Sequence, residues 1–346
     1  MSAQAPAAFF DQNAVRSAVD TALTDFLAIQ MREAHRRGLP QQAAQALSSF
    51  LGAGGKRIRP ILCVVGWQAA GGTGAPDPVL RAAASLEMFH ASMLIHDDII
   101  DASDTRRGRP TVHRTASTEA AILIGDLALV FADELLHNAG LTPDQLTAAL
   151  PVANALRADT IYGQCLDLSH TGRPAVGLDQ ALAITRYKTA KYTVEGPLLL
   201  GAALAPAPGS RTCLPALTAY GIPVGEAFQL RDDLLGVFGN PDDTGKPALD
   251  DLREGKATVL VALALQNADP TQRQILRRHV GNRHLSPEGA QRVRTVLIDT
   301  GARTTVESMI TQRRDSALAS LETAALPPHV TTALRALAYS ATARTT

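Results

Sequence analysis

Apolar residues recur at intervals of three and four along most of this chain, the spacing that places them on one face of an α-helix. The first such segment predicts a helix over Val15–Arg36, ended by Gly38 and Pro40. Another predicts a helix that begins with an N-cap at Asp77 and runs through Asp101. The remaining long helices are predicted over Pro60–Gly71, Thr118–Asn138, Pro143–Leu168, Leu178–Leu204 and Leu214–Phe238.

Short loops separate these helices, apart from one longer polar segment, Gly239–Gly255, after which shorter helices are predicted. No run of alternating apolar and polar residues indicates a β-sheet. The sequence therefore predicts an all-α protein of roughly a dozen helices. We expect residues 1–346 to form a single helical domain, with residues 1–12 flexible at its start.

Composition argues against several classes of protein. Hydrophobic residues make up 46% of the chain, and a formal net charge of zero gives no indication of nucleic-acid binding. No apolar run is long enough to span a bilayer, and the first residues lack the pattern of a signal peptide. The cysteines Cys63, Cys165 and Cys213 are far apart and form no CxxC pair. We therefore expect a cytoplasmic protein without a zinc knuckle or a disulfide framework.

An aspartate-rich segment, Asp97-Asp98-Ile99-Ile100-Asp101, ends the helix predicted from Asp77. Residues four apart on a helix share one face about 6 Å apart along the axis, so Asp97 and Asp101 point the same way, with Asp98 beside them. Like charges at this spacing destabilise a helix unless a cation binds, and Mg²⁺ prefers carboxylate and phosphate oxygens. A solvated acidic helix end is the alternative. The apolar residues around the carboxylates favour the Mg²⁺ site.

Two basic segments are candidates for binding phosphate. Arg106-Arg107-Gly108-Arg109-Pro110 follows the aspartates, and arginine matches phosphate with two parallel hydrogen bonds. Gly54-Gly55-Lys56-Arg57-Ile58-Arg59-Pro60 joins two glycines, which allow a ligand close approach, to three cations at the start of a helix. The alternatives are pairing of the arginines with the aspartates, and a basic surface turn. One metal-bound diphosphate would explain the acidic and the basic segments together.

A second acidic pair, Asp232-Asp233, lies on the helix predicted over Leu214–Phe238. Two acidic helix faces can hold metal ions between them. Lysine is rare in this arginine-rich chain, which suggests that a lysine stands where a compact charge is needed. Most of the lysines fall in or near the candidate anion-binding segments: Lys56, Lys188, Lys246 and Lys256.

Together these segments resemble the trans-type polyprenyl diphosphate synthases, which have the isoprenoid synthase fold, a set of helices around a central cavity. The similarity extends over nearly the whole chain, and the motif pattern is closest to that of bacterial geranylgeranyl diphosphate synthases. It is carried by Gly54–Pro60, His90, Asp97–Asp101 with Arg106-Arg107-Gly108, Lys188-Thr189, Gln229 with Asp232-Asp233, Lys246 and Lys256.

The resemblance implies a Mg²⁺-dependent prenyltransferase, a homodimer, that condenses isopentenyl diphosphate with an allylic diphosphate. A group of Mg²⁺ ions, three in the family, would bind the allylic diphosphate through Asp97, Asp101 and Asp232, with support from Asp98 and Asp233. The cations implied to contact that same diphosphate are Arg106, Lys188, Lys246 and Lys256. The residues implied to bind isopentenyl diphosphate are Lys56, Arg59, His90 and Arg107. The residues implied to stabilise the carbocation through oxygen dipoles are Thr189 and Gln229.

This sequence departs from the family pattern at two places. Gly236 occupies the fifth position of the second acidic motif, where a further aspartate is common, and Ala257 follows Lys256, where a bulkier or basic residue is common. Neither change removes a residue that the implied mechanism requires.

Product length is expected to depend on the helix before Asp97. Ser92 and Met93 lie five and four residues before it, where a bulky aromatic residue would stop the growing chain early. Phe89, one turn of about 5 Å deeper, is the expected floor of the product tunnel. We therefore expect geranylgeranyl diphosphate, the C20 product, with C25 or longer as the alternative.

Three other functions are alternatives. A di-iron carboxylate bundle would use ExxH pairs, which occur at Glu87–His90 and Glu134–His137, but it gives the basic residues no role. A terpene cyclase on the same fold would not need an isopentenyl diphosphate site. A non-catalytic subunit of a two-chain synthase usually loses aspartates, whereas the first acidic motif is complete here.

Overall fold

Helices dominate the computed structural model, which describes residues 11–171, 176–205, 212–239 and 249–343. The helices up to residue 171 are α1 (Gln12–Arg36), α2 (Gln42–Gly52), α3 (Ile58–Ala69), α4 (Asp77–Ile100), α5 (Val112–Thr115), α6 (Thr118–His137) and α7 (Pro143–His170). The later ones are α8 (Leu178–Ile184), a π-helix (Thr185–Glu195), α9 (Gly196–Ala203), α10 (Leu214–Phe238), α11 (Asp250–Glu254), α12 (Val259–Asn267), α13 (Pro270–His279), α14 (Pro287–Asp299), α15 (Ala302–Glu322) and α16 (Pro328–Thr342). The predicted all-α class is confirmed.

Most predicted helices are present within a few residues of their expected ends. The Oδ1 atom of Asp11 accepts hydrogen bonds from the N–H groups of Asn13 and Ala14 and so caps α1, and Gly38 follows that helix with a φ of 66°. The expectation for Asp77 was wrong by one position, because Pro76 has the extended backbone of the N-cap and Asp77 is the first helical residue. Helix α2 was not predicted.

A π-helix replaces part of the helix predicted over Leu178–Leu204. It ends at Glu195, next to Gly196 and Pro197. Proline has no backbone N–H to donate to a preceding turn, so the regular α pattern of hydrogen bonds is interrupted at Pro197. Segments with π geometry are rare and often occur at functional sites.

The chain forms two compact units. Unit 1 comprises Met1–Val152, Pro197–Leu214 and Ala325–Ala333, and unit 2 comprises Ala153–Gly196, Pro215–Ala324 and Leu334–Thr346. The predicted organisation as a single domain stays a prediction. Across the described ranges, no helix combines the length and the apolar character needed to cross a bilayer.

Helix α4 is the central helix of unit 1, where it packs against α1, α3 and α6. Its middle, residues 82–89, is buried, with Ala82, Ala83 and Ala84 fully inaccessible to solvent. Small side chains allow neighbouring helices to approach closely, which burial of apolar surface then stabilises. The aspartate-rich motif is thus attached to a rigid part of the unit.

The core of unit 2 is a cluster of aliphatic side chains from α8, α10, α12, α14 and α15. Leu230 of α10 and Val259 and Leu260 of α12 are fully buried in it. Because Leu230 lies next to Gln229 and two residues before Asp232 in the sequence, this packing fixes the helix that carries the second acidic pair.

Two glycines let α3 and α9 cross in direct backbone contact within unit 1. A Cβ atom at Gly66 would lie 2.0 Å from the carbonyl oxygen of Leu198, and one at Gly201 would lie 1.8 Å from the carbonyl oxygen of Cys63. Both distances are far below van der Waals contact and involve backbone atoms, which cannot rotate away. The crossing therefore requires glycine at both positions.

We predict that Gly66→Ala lowers the free energy of unfolding by about 1–3 kcal/mol, because the two helices must separate to admit the methyl group. Gly52→Ala at the end of α2 is the matched control, since an added Cβ there has no neighbour within 4 Å among the described residues. That control should be neutral or stabilising by up to about 1 kcal/mol. Urea denaturation measures both, and equal losses would contradict a close crossing.

Candidate active site

The last turn of α4 places Asp97 and Asp101 in a half-buried position at the end of the helix. Asp101 is the C-cap residue, and the turn before it reads Asp97-Asp98-Ile99-Ile100. A helix C-terminus already carries partial negative charge, so these carboxylates add to that charge instead of neutralising it. A divalent cation bound by Asp97 and Asp101 would offset the repulsion.

Asp98 has a different environment, because it is only 1% exposed and its carboxylate binds Arg106. The Nε atom of Arg106 donates to both oxygens of Asp98 at 2.9 Å, and Nη2 donates to Oδ1 at 2.6 Å. Burial raises the pKa of the Asp98 carboxyl, and the hydrogen bonds from Arg106 oppose that shift. Arg106 also lies 3.8 Å from Oδ2 of Asp97. The proposed support of a metal ion by Asp98 stays a prediction.

A short β-hairpin, which was not predicted, presents Arg106 and Arg107. Strands β1 (Thr105–Arg106) and β2 (Arg109–Pro110) pair antiparallel, and Arg107 and Gly108 form the turn with φ angles of 53° and 71°. Positive φ at both central residues is typical of a type I′ turn, whose twist matches that of the two strands. From this turn, the Nη1 atom of Arg107 donates a hydrogen bond to the carbonyl oxygen of Gly54.

Arg57 points into the interior of unit 1, where protein groups bind its guanidinium. It is 5% exposed and has a left-handed backbone with a φ of 48°. Its Nε donates to Asp20 of α1 at 2.7 Å, its Nη1 donates to Glu87 of α4 at 3.0 Å, and its Nη2 donates to the carbonyl oxygen of Leu51 at 2.8 Å. One guanidinium group thus joins α1, the end of α2 and α4, and it fixes the base of the loop at residues 53–57.

Cations surround His90, which lies on α4 seven residues before Asp97. Burial lowers the pKa of His90 well below its ordinary value, and the positive charges of Arg59, Arg107, Arg106 and Arg57 lower the pKa further. The imidazole is therefore neutral near pH 7. Arg59 is half-buried, and Lys56 and Arg107 are exposed. The structure brings His90, Arg59 and Arg107 of the predicted isopentenyl diphosphate site together, and these cations would be stabilised by an anion.

The residues predicted to determine product length lie on α4 before the aspartates. Ser92 and Phe89 are buried, with exposed fractions of 0% and 1%, and Met93 is half-buried. The hydroxyl of Ser92 has no hydrogen-bond partner within the described part of the chain. An unpaired hydroxyl among apolar neighbours is unusual in a protein interior.

Lys188 and Thr189 lie on the π-helix of unit 2, next to α7. Lys188 donates to Oδ2 of Asp167 at 2.6 Å, and Lys191 donates to Oδ2 of Asp159 at 2.5 Å. Between the two aspartates is Gly163, where a Cβ atom would lie 2.3 Å from the backbone nitrogen of Lys188. Two ion pairs and one close backbone contact therefore fix the π-helix against α7.

Thr189 connects to α10 through a short series of hydrogen bonds. Its hydroxyl donates to Oε1 of Gln229 at 2.7 Å, and Nε2 of Gln229 donates to Oδ1 of Asp233 at 2.7 Å. Asp233 is 8% exposed, whereas Asp232 is half-buried. Of the two aspartates, Asp232 is the more accessible.

Three further positions singled out in the sequence are Gly236, Lys246 and Lys256. Lys256 is half-buried, and its Nζ lies 2.8 Å from Oε2 of Glu254. Lys246 lies outside the described residues. Gly236 is half-buried on α10 and supplies no carboxylate.

The carboxylates fit a Mg²⁺ ion that binds together with a diphosphate. Within the described residues, no group of three or more Asp, Glu, His or Cys side chains lies close enough to hold a metal ion alone. Mg²⁺ commonly takes one or two protein carboxylates and completes its shell with water and phosphate oxygens. Asp97 and Asp101 of unit 1 provide such a pair, and Asp232 of unit 2 provides one accessible carboxylate.

The di-iron alternative does not fit these contacts. Glu87 is bound by Arg57, and Glu134 accepts a hydrogen bond from Nε2 of Gln30 at 2.7 Å. Both glutamates therefore have other partners, and in the described ranges they belong to no cluster of metal-binding groups.

Three residues that hold the predicted site residues in place were not predicted from the sequence to do so. Glu87 and Asp20 bind Arg57, and Asp167 binds Lys188. Glu87 had a signal in the sequence, because an acidic residue inside an apolar segment must have a partner. Asp20 and Asp167 lie in ordinary amphipathic segments, where the sequence alone does not distinguish them from surface residues.

We predict that Arg57→Met lowers the free energy of unfolding by about 3–5 kcal/mol, because it leaves the buried carboxylate of Glu87 without its cation. Arg81→Met, at an exposed position of α4, is the matched control and should change stability by less than about 0.5 kcal/mol. The double variant Arg57→Met–Glu87→Leu should recover part of the loss in chemical denaturation. A single variant as stable as the control would disprove the buried ion pair.

Comparison with known proteins identifies the family. The model of the polyprenyl synthetase family matches residues 40–297. The crystal structure of geranylgeranyl pyrophosphate synthase from Corynebacterium glutamicum, complexed with isoprenyl diphosphate and magnesium, is 41% identical, with a TM-score of 0.91. The match covers 96% of this chain and 99% of that one.

Two curated relatives have different products in their names. Geranylfarnesyl diphosphate synthase from Aeropyrum pernix is 32% identical over 84% of this chain and 87% of its own. (2E,6E)-Farnesyl diphosphate synthase from Mycobacterium tuberculosis is 38% identical over 64% of this chain and 60% of its own. The family is one whose members use a divalent metal ion. The chain belongs to the polyprenyl synthetase family and is a prenyltransferase with the isoprenoid synthase fold.

Proposed function

We propose that this prenyltransferase condenses isopentenyl diphosphate head to tail with an allylic diphosphate, requires Mg²⁺, and makes geranylgeranyl diphosphate. One observation carries the proposal. On a single face of α4 and its C-cap, His90 with its surrounding cations lies seven residues, about 10 Å, before Asp97 and eleven residues, about 16 Å, before Asp101. The cations around His90 suit a diphosphate without metal, and the carboxylates suit a metal-bound diphosphate. A condensation of two substrates that each carry a diphosphate needs both environments.

The allylic diphosphate is the one bound with metal. Asp97, Asp101 and Asp232, with Asp98 in support, would hold three Mg²⁺ ions per site, and these ions would supply positive charge to the diphosphate leaving group. The cations that contact the same diphosphate in this proposal are Arg106, Lys188, Lys246 and Lys256. Asp98 pairs with Arg106 and Asp167 pairs with Lys188, so both cationic side chains have defined positions.

Isopentenyl diphosphate binds at the other end of this face. Lys56, Arg59 and Arg107 supply positive charge, and the hairpin turn and the residue 53–57 loop meet where Arg107 donates to Gly54. His90 donates a hydrogen bond from its neutral ring and gains a proton more easily once the diphosphate offsets the surrounding arginines.

Thr189 and Gln229 turn oxygen atoms towards the allylic cation, and an apolar enclosure excludes the water that would capture it. The double bond of isopentenyl diphosphate then attacks the cation, and a proton leaves the adjacent carbon. The predicted motifs supply no strong protein base, so the released diphosphate accepts this proton. The magnesium and isoprenyl diphosphate in the structure of the Corynebacterium glutamicum relative support the same assignment. We further propose a cytoplasmic homodimer.

The test is an elongation assay with purified protein, isopentenyl diphosphate, Mg²⁺ and each of dimethylallyl, geranyl and farnesyl diphosphate. We expect chain elongation that EDTA abolishes and that Asp97→Asn lowers on the order of 10²–10³-fold in kcat, the usual cost of losing one preorganised electrostatic group. Asp77→Asn, exposed at the other end of α4, is the matched control and should retain activity. Cyclic products without elongation would favour a terpene cyclase, and no turnover at all would favour a non-catalytic subunit.

The C20 product is proposed because Ser92 is smaller than an aromatic residue, and the buried Phe89 lies three residues, nearly one turn, before it on α4. We predict that Ser92→Phe shortens the main product by about one isoprene unit and that Phe89→Ala lengthens it, since one helical turn of about 5 Å corresponds roughly to one unit. Chromatography of the dephosphorylated products measures both. If both variants make the parent product, α4 does not determine chain length.

A further inference from the structure

Four residues spaced by four form one stripe of α10: Gly221, Gly225, Gln229 and Asp233. A Cβ atom at Gly225 would lie 2.5 Å from the Cα of Ala190, and one at Gly221 would lie 2.9 Å from the Cα of Glu195. The first half of the stripe is therefore in direct backbone contact with the π-helix. This contact places Gln229, one turn further along, beside Thr189.

The hydrogen bonds along this stripe run in one direction. The NH₂ group of Gln229 faces Asp233 and donates to its carboxylate oxygen. The planar amide of Gln229 then turns its carbonyl oxygen towards Thr189. A carbonyl oxygen only accepts hydrogen bonds, so the hydroxyl of Thr189 donates its single hydrogen to Gln229. Asp233 thus determines the orientation of the Thr189 hydroxyl through Gln229, without contacting Thr189 directly in this series of hydrogen bonds.

We propose that Asp233 is a positioning residue. The two hydrogen bonds that connect Thr189, Gln229 and Asp233, here called the relay, orient the Thr189 hydroxyl so that it presents oxygen lone pairs, and never its hydrogen, to the allylic cation. The inference rests on the proposed function, because it needs a cation beside Thr189. If Gln229 reversed, its NH₂ group would face Thr189, the hydroxyl would become an acceptor, and its hydrogen would be free to point at the cation. A hydroxyl dipole in that orientation repels positive charge.

The resemblance implies a competing role for Asp233, the support of a metal ion. Exchanging the amide and the carboxylate between positions 229 and 233 distinguishes the positioning role from the metal-binding role. In the double variant Gln229→Glu–Asp233→Asn, the amide at position 233 donates to the carboxylate at position 229. The other carboxylate oxygen then accepts from Thr189, so the relay keeps its direction. A metal-binding carboxylate at position 233 is lost in the same variant.

The experiment compares Asp233→Asn, Gln229→Glu and the double variant with wild type, with Asp299→Asn, exposed on α14, as the matched control. We expect Asp233→Asn to lower kcat about 10–100-fold, less than direct loss of an oriented dipole because Thr189 itself remains, and to leave both KM values and the half-saturating Mg²⁺ concentration within twofold. A larger share of the allylic diphosphate should be hydrolysed to the alcohol. The double variant should recover at least tenfold in kcat over Asp233→Asn, and Asp299→Asn should match wild type.

Unchanged kcat in Asp233→Asn, or a raised Mg²⁺ requirement that the double variant does not reverse, would overturn the relay. Thermal unfolding supplies a readout that does not depend on activity. Both single variants should unfold a few degrees below wild type, and the double variant should unfold above both. If Asp233→Asn does not fold, the double variant decides, because only the relay predicts that it folds and turns over.

Failure of the proposed function gives a separate result. If wild type elongates no allylic diphosphate, the condensation is disproved, and a double variant that is no more stable than the singles then disproves the relay as well. If wild type elongates and only the double variant fails to recover, the relay alone is wrong.

Discussion

A charged group inside a protein must be paired, and two buried carboxylates of α4, Glu87 and Asp98, are each paired with an arginine from a loop. Arg57 reaches Glu87 from the loop between α2 and α3, and Arg106 reaches Asp98 from the hairpin. Each pair draws its loop onto the helix. The remaining cations of the two loops are carried along, which is why they converge around His90 and near Asp97.

The same requirement divides residues of one chemical type into different roles. Arg57 and Arg59 are two positions apart, yet the first is buried in an ion pair and the second remains half-buried near His90. Asp97 and Asp98 are adjacent, yet Asp97 is half-buried and 3.8 Å from Arg106, whereas Asp98 is buried in a close ion pair with Arg106. In unit 2, Asp232 and Asp233 differ in the same way. A helix that rotates by about 100° per residue enforces this division.

Much of this arrangement follows from the sequence, because helical periodicity and the spacing of Asp97 and Asp101 depend on neighbours along the chain. The all-α fold and the shared helix face of Asp97 and Asp101 are predictable on that basis. The left-handed backbone of Arg57, the type I′ turn at Arg107 and the π-helix are not, since tertiary contacts impose each of them against local preference. Arg57 and Arg59 are both arginines. Only the contacts of Arg57 with Asp20 and Glu87 reveal that Arg57 is the one that joins helices in the interior.

The turn of the hairpin has a consequence for engineering. Arg107 adopts a backbone conformation that glycine and asparagine accept at far lower energy, yet its side chain is the one that reaches the carbonyl of Gly54. Selection for thermal stability alone would therefore favour replacing this arginine, and the resulting protein would be a more robust scaffold with one cation fewer near His90. Under the proposed function, directed evolution for heat resistance and natural selection for turnover act in opposite directions at this position.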